Sequence, residues 1–139
     1  MEITNNFKKR AIDAVLALGT PKVMLLDASH ITDVDTDDNI DDVSANEISS
    51  ANYTAGGQAL ANVTSVLDLA NDRVDVDCDD PSWTNLTATI KAAAIYVDTG
   101  VPATSPIIGI VTFGSNQSPA TQDFTLTVPA GGFYRGTSV

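Results

Sequence analysis

Leu86-Thr-Ala-Thr-Ile-Lys-Ala-Ala-Ala-Ile-Tyr-Val-Asp-Thr-Gly100 is the stretch on which the fold turns. Read with a period of two, Leu86, Ala88, Ile90, Ala92, Ala94 and Tyr96 share one face, and all are apolar or aromatic. The intervening positions begin polar (Thr87, Thr89, Lys91) and then turn apolar (Ala93, Ile95, Val97). A strand whose alternation fades into a continuous apolar run is half-exposed at one end and buried on both faces at the other. Three consecutive alanines favour a helix. The β-branched residues at the start and the strict alternation favour a strand. Asp98-Thr-Gly100 then signals a turn. The stretch predicts a central strand, around which the other elements are arranged.

At 139 residues the chain predicts a single domain over 1–139, large enough for one core without metals or disulfides. Positions 1–20 form an N-terminal helix or arm and 21–139 the β-structure. Apolar residues make up 43% of the chain, which excludes intrinsic disorder. No window approaches the roughly 20 apolar residues of a membrane span, and the short apolar run behind Lys8, Lys9 and Arg10 predicts no secretory signal. A single cysteine, Cys78, excludes an internal disulfide framework; alternating with Val74 and Val76, it reads as a buried, inert thiol. The net charge of −11 argues against nucleic acid as a partner, because phosphate binding depends on Lys and Arg. Three of the seven basic residues are Lys8, Lys9 and Arg10, so the N-terminal arm is a candidate partner interface, docking on an acidic surface such as a neighbouring copy.

In chain order, Thr4, Asn5 or Asn6 caps a helix that Gly19 and Pro21 end, with Phe7, Ala11, Ala14, Val15 and Leu18 as its apolar stripe. Lys22 to Asp27 is a strand buried on both sides, one side covered by that helix. Asp33 to Asp42 carries six Asp in ten positions, but neither calcium-loop register supplies the turn Gly and the terminal Glu. It predicts a solvated, mobile loop and no specific metal site; His30 beside it has no second His or Cys nearby. Gly56-Gly57 is a structural turn with positive φ, leading into a strand from Gln58 to Leu67. Val74, Val76 and Cys78 face inward on the next strand, and Trp83 anchors the core. Ile107 to Phe113, Phe124 to Val128 and Phe133 to Arg135 complete the set. One N-terminal α-helix followed by about seven short strands predicts a mainly β fold, an antiparallel β-sandwich of jelly-roll-like form.

Enzymatic motifs are missing. Gly114-Ser115 lacks the second glycine of a nucleophile elbow, no phosphate or dinucleotide loop is present, and paired carboxylates need a cleft to fix their separation. The chain is therefore expected to have no catalytic residues, no cofactor-binding residues and no metal ligands.

Glu47-Ile-Ser49, Tyr53-Thr-Ala-Gly-Gly57, Leu60-Ala-Asn62, Asn71-Asp-Arg73, Trp83, Thr87-Ala-Thr89, Tyr96 and Asp98-Thr-Gly100 together resemble a family of small virion proteins of tailed bacteriophages. The opening Asn5-Asn-Phe-Lys-Lys-Arg-Ala11 belongs to the same pattern, so the resemblance spans almost the whole chain. It implies a non-enzymatic structural protein, made in the bacterial host cytoplasm and carried on the capsid exterior as a decoration or cement protein. The implied partners are the major capsid protein and copies of the chain itself, with no nucleic acid and no membrane. A tail, neck or fibre-associated protein is the alternative, and a carbohydrate-binding module for host recognition is a third.

Overall fold

Two strands, β1 (Thr20–Asp27) and β6 (Ile90–Asp98), run antiparallel through the middle of a four-stranded sheet. They are flanked by β2 (Gln58–Ala59) and β7 (Ile107–Gln117), in the order β2-β1-β6-β7. The computed structural model describes residues 3–137. Val23, Leu25, Ala93 and Ile95 enter one core, while Met24, Leu26, Ala92, Ala94 and Tyr96 enter another on the opposite face. Burial on both faces is why β1 and the second half of β6 read as unbroken apolar runs. The cover over the second core is not the N-terminal helix, as the sequence suggested. It is a short helix, α2 (Ile40–Val43), which inserts Ile40 and Val43.

Leu86–Gly100 is not one strand. Leu86 and Thr87 end β5 (Ser82–Thr87), which pairs with β8 (Ala120–Thr125) in a separate two-stranded sheet. After Ala88 and Thr89 the chain changes sheets and β6 begins. Leu86 and Ile90 share a core with Ala93 and Ile95, so the inward face moves from even to odd positions. The register explains the change: Leu26 lies opposite Ala92, but Asp27 lies opposite Ile90, leaving Lys91 as an extra residue. Such a bulge turns every following side chain to the other face.

The third sheet has the order β3-β4-β9, from β3 (Thr64–Asp68), β4 (Arg73–Asp77) and β9 (Tyr134–Thr137). The strand expected from Gln58 to Leu67 is thus divided between two sheets, as β2 and β3. α1 (Asn5–Leu16) lies against β3 and β4. The Thr4 hydroxyl caps it by accepting the Phe7 N–H at 3.3 Å, and the helix ends at Leu16, before Gly19. The architecture is mainly β, with antiparallel open sheets and an N-terminal helix.

Candidate functional site

Helix α1 has no buried residue. Its inner side is formed by Ile12 and Leu16 with the stems of Lys8 and Lys9, all half-buried. Of the stripe that the sequence assigned to the core, Phe7, Ala14 and Leu18 stand exposed, while Ala11 and Val15 line the edge of an apolar groove beside the helix. Phe7 is 63% exposed and Leu18 57%. Amphipathic periodicity identified the apolar face correctly and its destination wrongly. The physical reason is that Lys8, Lys9 and Asp13 supply the opposite face with polar contacts to β3 and to the turn before β4.

Those contacts account for two of the three cations proposed as a partner interface. Lys8 donates to the Asn5 side-chain oxygen and to the Asp72 carbonyl, each at 3.2 Å. Lys9 pairs with Asp13 at 2.7 Å and donates to the Ser65 hydroxyl at 3.2 Å. Hydrogen bonds from Lys9 and then Ser65 hold the Asp13 carboxyl below its ordinary pKa. Lys8 and Lys9 therefore fasten the helix to its own molecule, and Arg10 stands exposed on the outer side.

Beside the helix an apolar groove of about 320 Å³ opens between α1, β4, β9 and the start of β7, with Ile12, Leu16, Val76, Ile108 and Phe133 among its walls. β7 and β9 are the outermost strands of their sheets, and both border this groove. Among the described residues, Tyr134 is the titratable group in its lining.

No protein-family model, curated protein or solved structure matches this chain.

Glu47, Tyr53 and Tyr96 converge elsewhere, on the turn at Gly56 and Gly57. Both glycines have positive φ, 83° and 69°. A Cβ on Gly57 would collide with the Val23 carbonyl of β1, whereas Gly56 has room around it. The Glu47 carboxylate Oε1 accepts from the Gly56 N–H at 2.6 Å and from the Tyr53 hydroxyl at 2.9 Å. The Tyr53 oxygen in turn accepts the Leu25 N–H at 3.0 Å, and the Tyr96 hydroxyl donates to the Gly56 carbonyl at 2.7 Å. Burial raises the Tyr53 phenol far above its usual range and pushes Tyr96 up to about 12. Sequence reasoning quoted Glu47, Tyr53 and Tyr96 without giving them a role. The available signal was that Glu47 is one of only two Glu in an acidic complement of 18, otherwise all Asp. The longer side chain reaches two donors that Asp would not.

The acidic segment is solvated as expected, with Asp33, Asp35, Asp38, Asp41 and Asp42 exposed, and its own carboxylates accept its backbone N–H groups. Asp37 accepts the Asp33 N–H at 2.9 Å, and Asp33 accepts the Asp35 N–H at 3.0 Å. Asp42 accepts from the Asp38 and Asn39 N–H groups at 3.2 and 2.9 Å, which caps α2. Ile40 N–H to the Ser105 carbonyl and Ile107 N–H to the Asp38 carbonyl, both 2.9 Å, tie the segment to the sheet. His30 is buried with its Nε2 3.8 Å from Asp37. Among the described residues no group of three or more His, Cys, Asp or Glu is placed to hold a metal ion. Cys78 is half-buried; burial first, then Asp77, Asp79 and Asp80, push its thiol up to about 11. No helix among the described residues is long and apolar enough to cross a membrane.

Proposed function

We propose that this chain is a non-enzymatic structural protein of a tailed-phage virion, carried on the capsid exterior as a decoration or cement subunit. Its partners are the major capsid protein and further copies of itself; nucleic acid and membranes are not among them. The observation that carries this reading is the set of exposed apolar residues at α1 on a protein of net charge −11. Exposed Phe7 on the helix and Leu18 just past its end fit a surface that is covered in an assembly. The family resemblance names the assembly. The polar clusters support a structural part, since the Glu47, Tyr53 and Tyr96 group and the Asp33–Asp42 carboxylates all cap backbone groups. We read the face-to-face contact between the four-stranded sheet and the β5–β8 ribbon, through Trp83, Leu86 and Ile95, as sandwich-like packing.

A carbohydrate-binding module would need exposed aromatic platforms. Tyr53, Trp83, Phe124 and Phe113 instead make a chain of ring contacts against the core, stacked, tilted and edge-to-face in turn, with successive ring centroids 6.5, 5.8 and 6.1 Å apart. Electron cryomicroscopy of particles that contain the chain separates the remaining alternatives. Density repeated over the shell lattice is the expected result. Density only at the neck, tail or fibres would replace the capsid assignment with the tail-associated one.

A further inference from the structure

We infer that the outer edge of β7 is a docking site for an extended, basic polypeptide segment of a partner protein, which joins the four-stranded sheet as a fifth strand. β7 is the longest strand among the described residues and the last of its sheet. The Val97 N–H donates to the Pro106 carbonyl at 3.0 Å, so the odd positions of β6 aim their backbone groups at β7. Ala93 and Ile95 therefore bond to the residues opposite them, Val111 and Gly109. Ile110 and Thr112, which alternate with these, point their N–H and C=O groups away from the sheet. No backbone or side chain among the described residues meets those groups. Such a row of unpaired groups is a template for another strand, and edges are ordinarily guarded by Lys, Pro or inward charges. Ile107–Gln117 contains no charged residue and no Pro, on a chain of net charge −11. Bulges on either side leave Gly109–Thr112 as the regular run, so the docked strand is short.

A groove beside this edge sets the chemistry of the strand that fits. It has a volume of about 210 Å³ and is lined by Thr32, Val34, Asp37 and Asp38 on one side and by Gly109 and Ile110 of β7 on the other. The Thr32 hydroxyl lies 2.9 Å from the Thr112 hydroxyl, which holds the acidic segment alongside the strand. Val34 is 85% exposed and offers an apolar wall to every second side chain of a docked strand. Asp38 is exposed, and its carboxylate accepts no hydrogen bond among the described residues, so it is free to meet a Lys or Arg. A second copy does not fit. Two β7 edges paired about a two-fold axis would bring two Asp33–Asp42 segments, six Asp in each, together on one face of the joined sheet. The site is built from this chain's own backbone and carboxylates and does not rest on the virion reading.

The probe is the capped peptide acetyl-Lys-Val-Thr-Val-Thr-Lys-amide, titrated into the isotopically labelled full chain and followed by nuclear magnetic resonance. Amide shifts are expected at Ile110, Thr112 and positions 32–38. An analogue with Glu in place of both Lys should bind at least about tenfold more weakly at low salt, and the difference should narrow as salt rises or with Asp38→Asn. Thr112→Pro removes an outward N–H where an edge strand tolerates Pro, so it should weaken binding at least about tenfold and leave thermal unfolding unchanged. Thr112→Val keeps that N–H and should bind as the parent does. Peptides methylated at alternate backbone nitrogens repeat the test without altering the chain: one of the two phases should bind and the other should not. Absence of shifts up to about 1 mM peptide overturns the site, as do shifts confined to other strands. Equal affinity for the Lys and Glu peptides, or equal behaviour of the two methylated phases, overturns it as well. Equal losses from Thr112→Val and Thr112→Pro would assign the effect to the side chain and reject strand pairing. A chain that dimerises through β7 in sedimentation gives the edge to a second copy and also overturns the proposal.

Discussion

Gly57 and Gly56 sit side by side, yet their backbones carry different loads. Gly57 is at φ 69° and packs so close to β1 that an added Cβ strikes the Val23 carbonyl. Gly56 is at φ 83°, with the nearest groups 3.8 Å from where a Cβ would stand. Gly56→Ala should cost about 1 kcal/mol, the strain of a left-handed alanine. Gly57→Ala adds a backbone collision and should cost about 2–4 kcal/mol. Urea unfolding of the two variants checks the order, and equal losses would reject the role given to the close approach. Cys78 offers a second check at this scale. With its thiol pushed up to about 11, the thiolate at neutral pH is roughly a hundred times scarcer than in a small-molecule thiol. Its reaction with an aromatic disulfide reagent at pH 8 should be slower by a similar factor, and should accelerate in denaturant.

Helix α1 and the acidic segment share the covering of the sheets differently from expectation. A helix with an apolar stripe was expected to cover the β1 strand, and a run of aspartates to stay in solvent. The aspartates other than Asp37 do stand in solvent, but Ile40 and Val43 beside them cover the second core, and the helix packs on β3 and β4 with Phe7 turned outward. Lys9→Gln removes an ion pair between partly exposed side chains, so it should lower stability by less than about 1 kcal/mol, and least at high salt. Arg10→Gln should leave the urea midpoint unchanged and weaken association alone. Within the acidic segment, Asp42→Ala removes the acceptor for the Asp38 and Asn39 N–H groups and should cost about 1 kcal/mol. The side chain of Asp35 makes no such cap, and Asp35→Asn should be neutral. Equal effects of the two changes would show that total charge, and not capping, governs the segment.

Over the whole molecule, titration confines stability from both ends of the pH scale. Asp13, Asp68 and Asp98 have lowered pKa values, through side-chain hydrogen bonds from Lys9, Asn71 and Lys22 respectively. For carboxylates shifted down on folding, the stabilisation is complete above the unfolded pKa, near 4. It is lost as pH falls through the lower folded values. Burial raises the phenols of Tyr53 and Tyr96, so their contribution is complete below about pH 10 and falls away as pH rises through about 12 for Tyr96. Melting temperature should therefore hold across the neutral range and drop on both sides. On the alkaline side, the phenolate absorbance of these two tyrosines should appear together with unfolding. Their ionisation in a still-folded protein would contradict the hydrogen-bonded burial described here.

The sequence by itself determined that β1 and β6 are buried on both faces, that a helix opens at Thr4, Asn5 or Asn6, that Trp83 lies in the core and that Gly56–Gly57 bends at positive φ. Each of these follows from local chemistry: apolar runs, a capping hydroxyl, a large indole, a residue without Cβ. Tertiary structure alone decided three other matters. Lys91 became a bulge, because β6 must continue one core from β5 and then span two, and no periodicity within Leu86–Gly100 records where that change falls. Glu47, Tyr53 and Tyr96 became one hydrogen-bonded cluster, because β1 and β6 bring together residues far apart in the chain. Phe7 and Ala14 of α1 faced outward, because periodicity shows that a helix has an apolar side but not what meets it. That choice was made by Lys8 and Lys9, whose partners Asp72 and Ser65 lie more than fifty residues away.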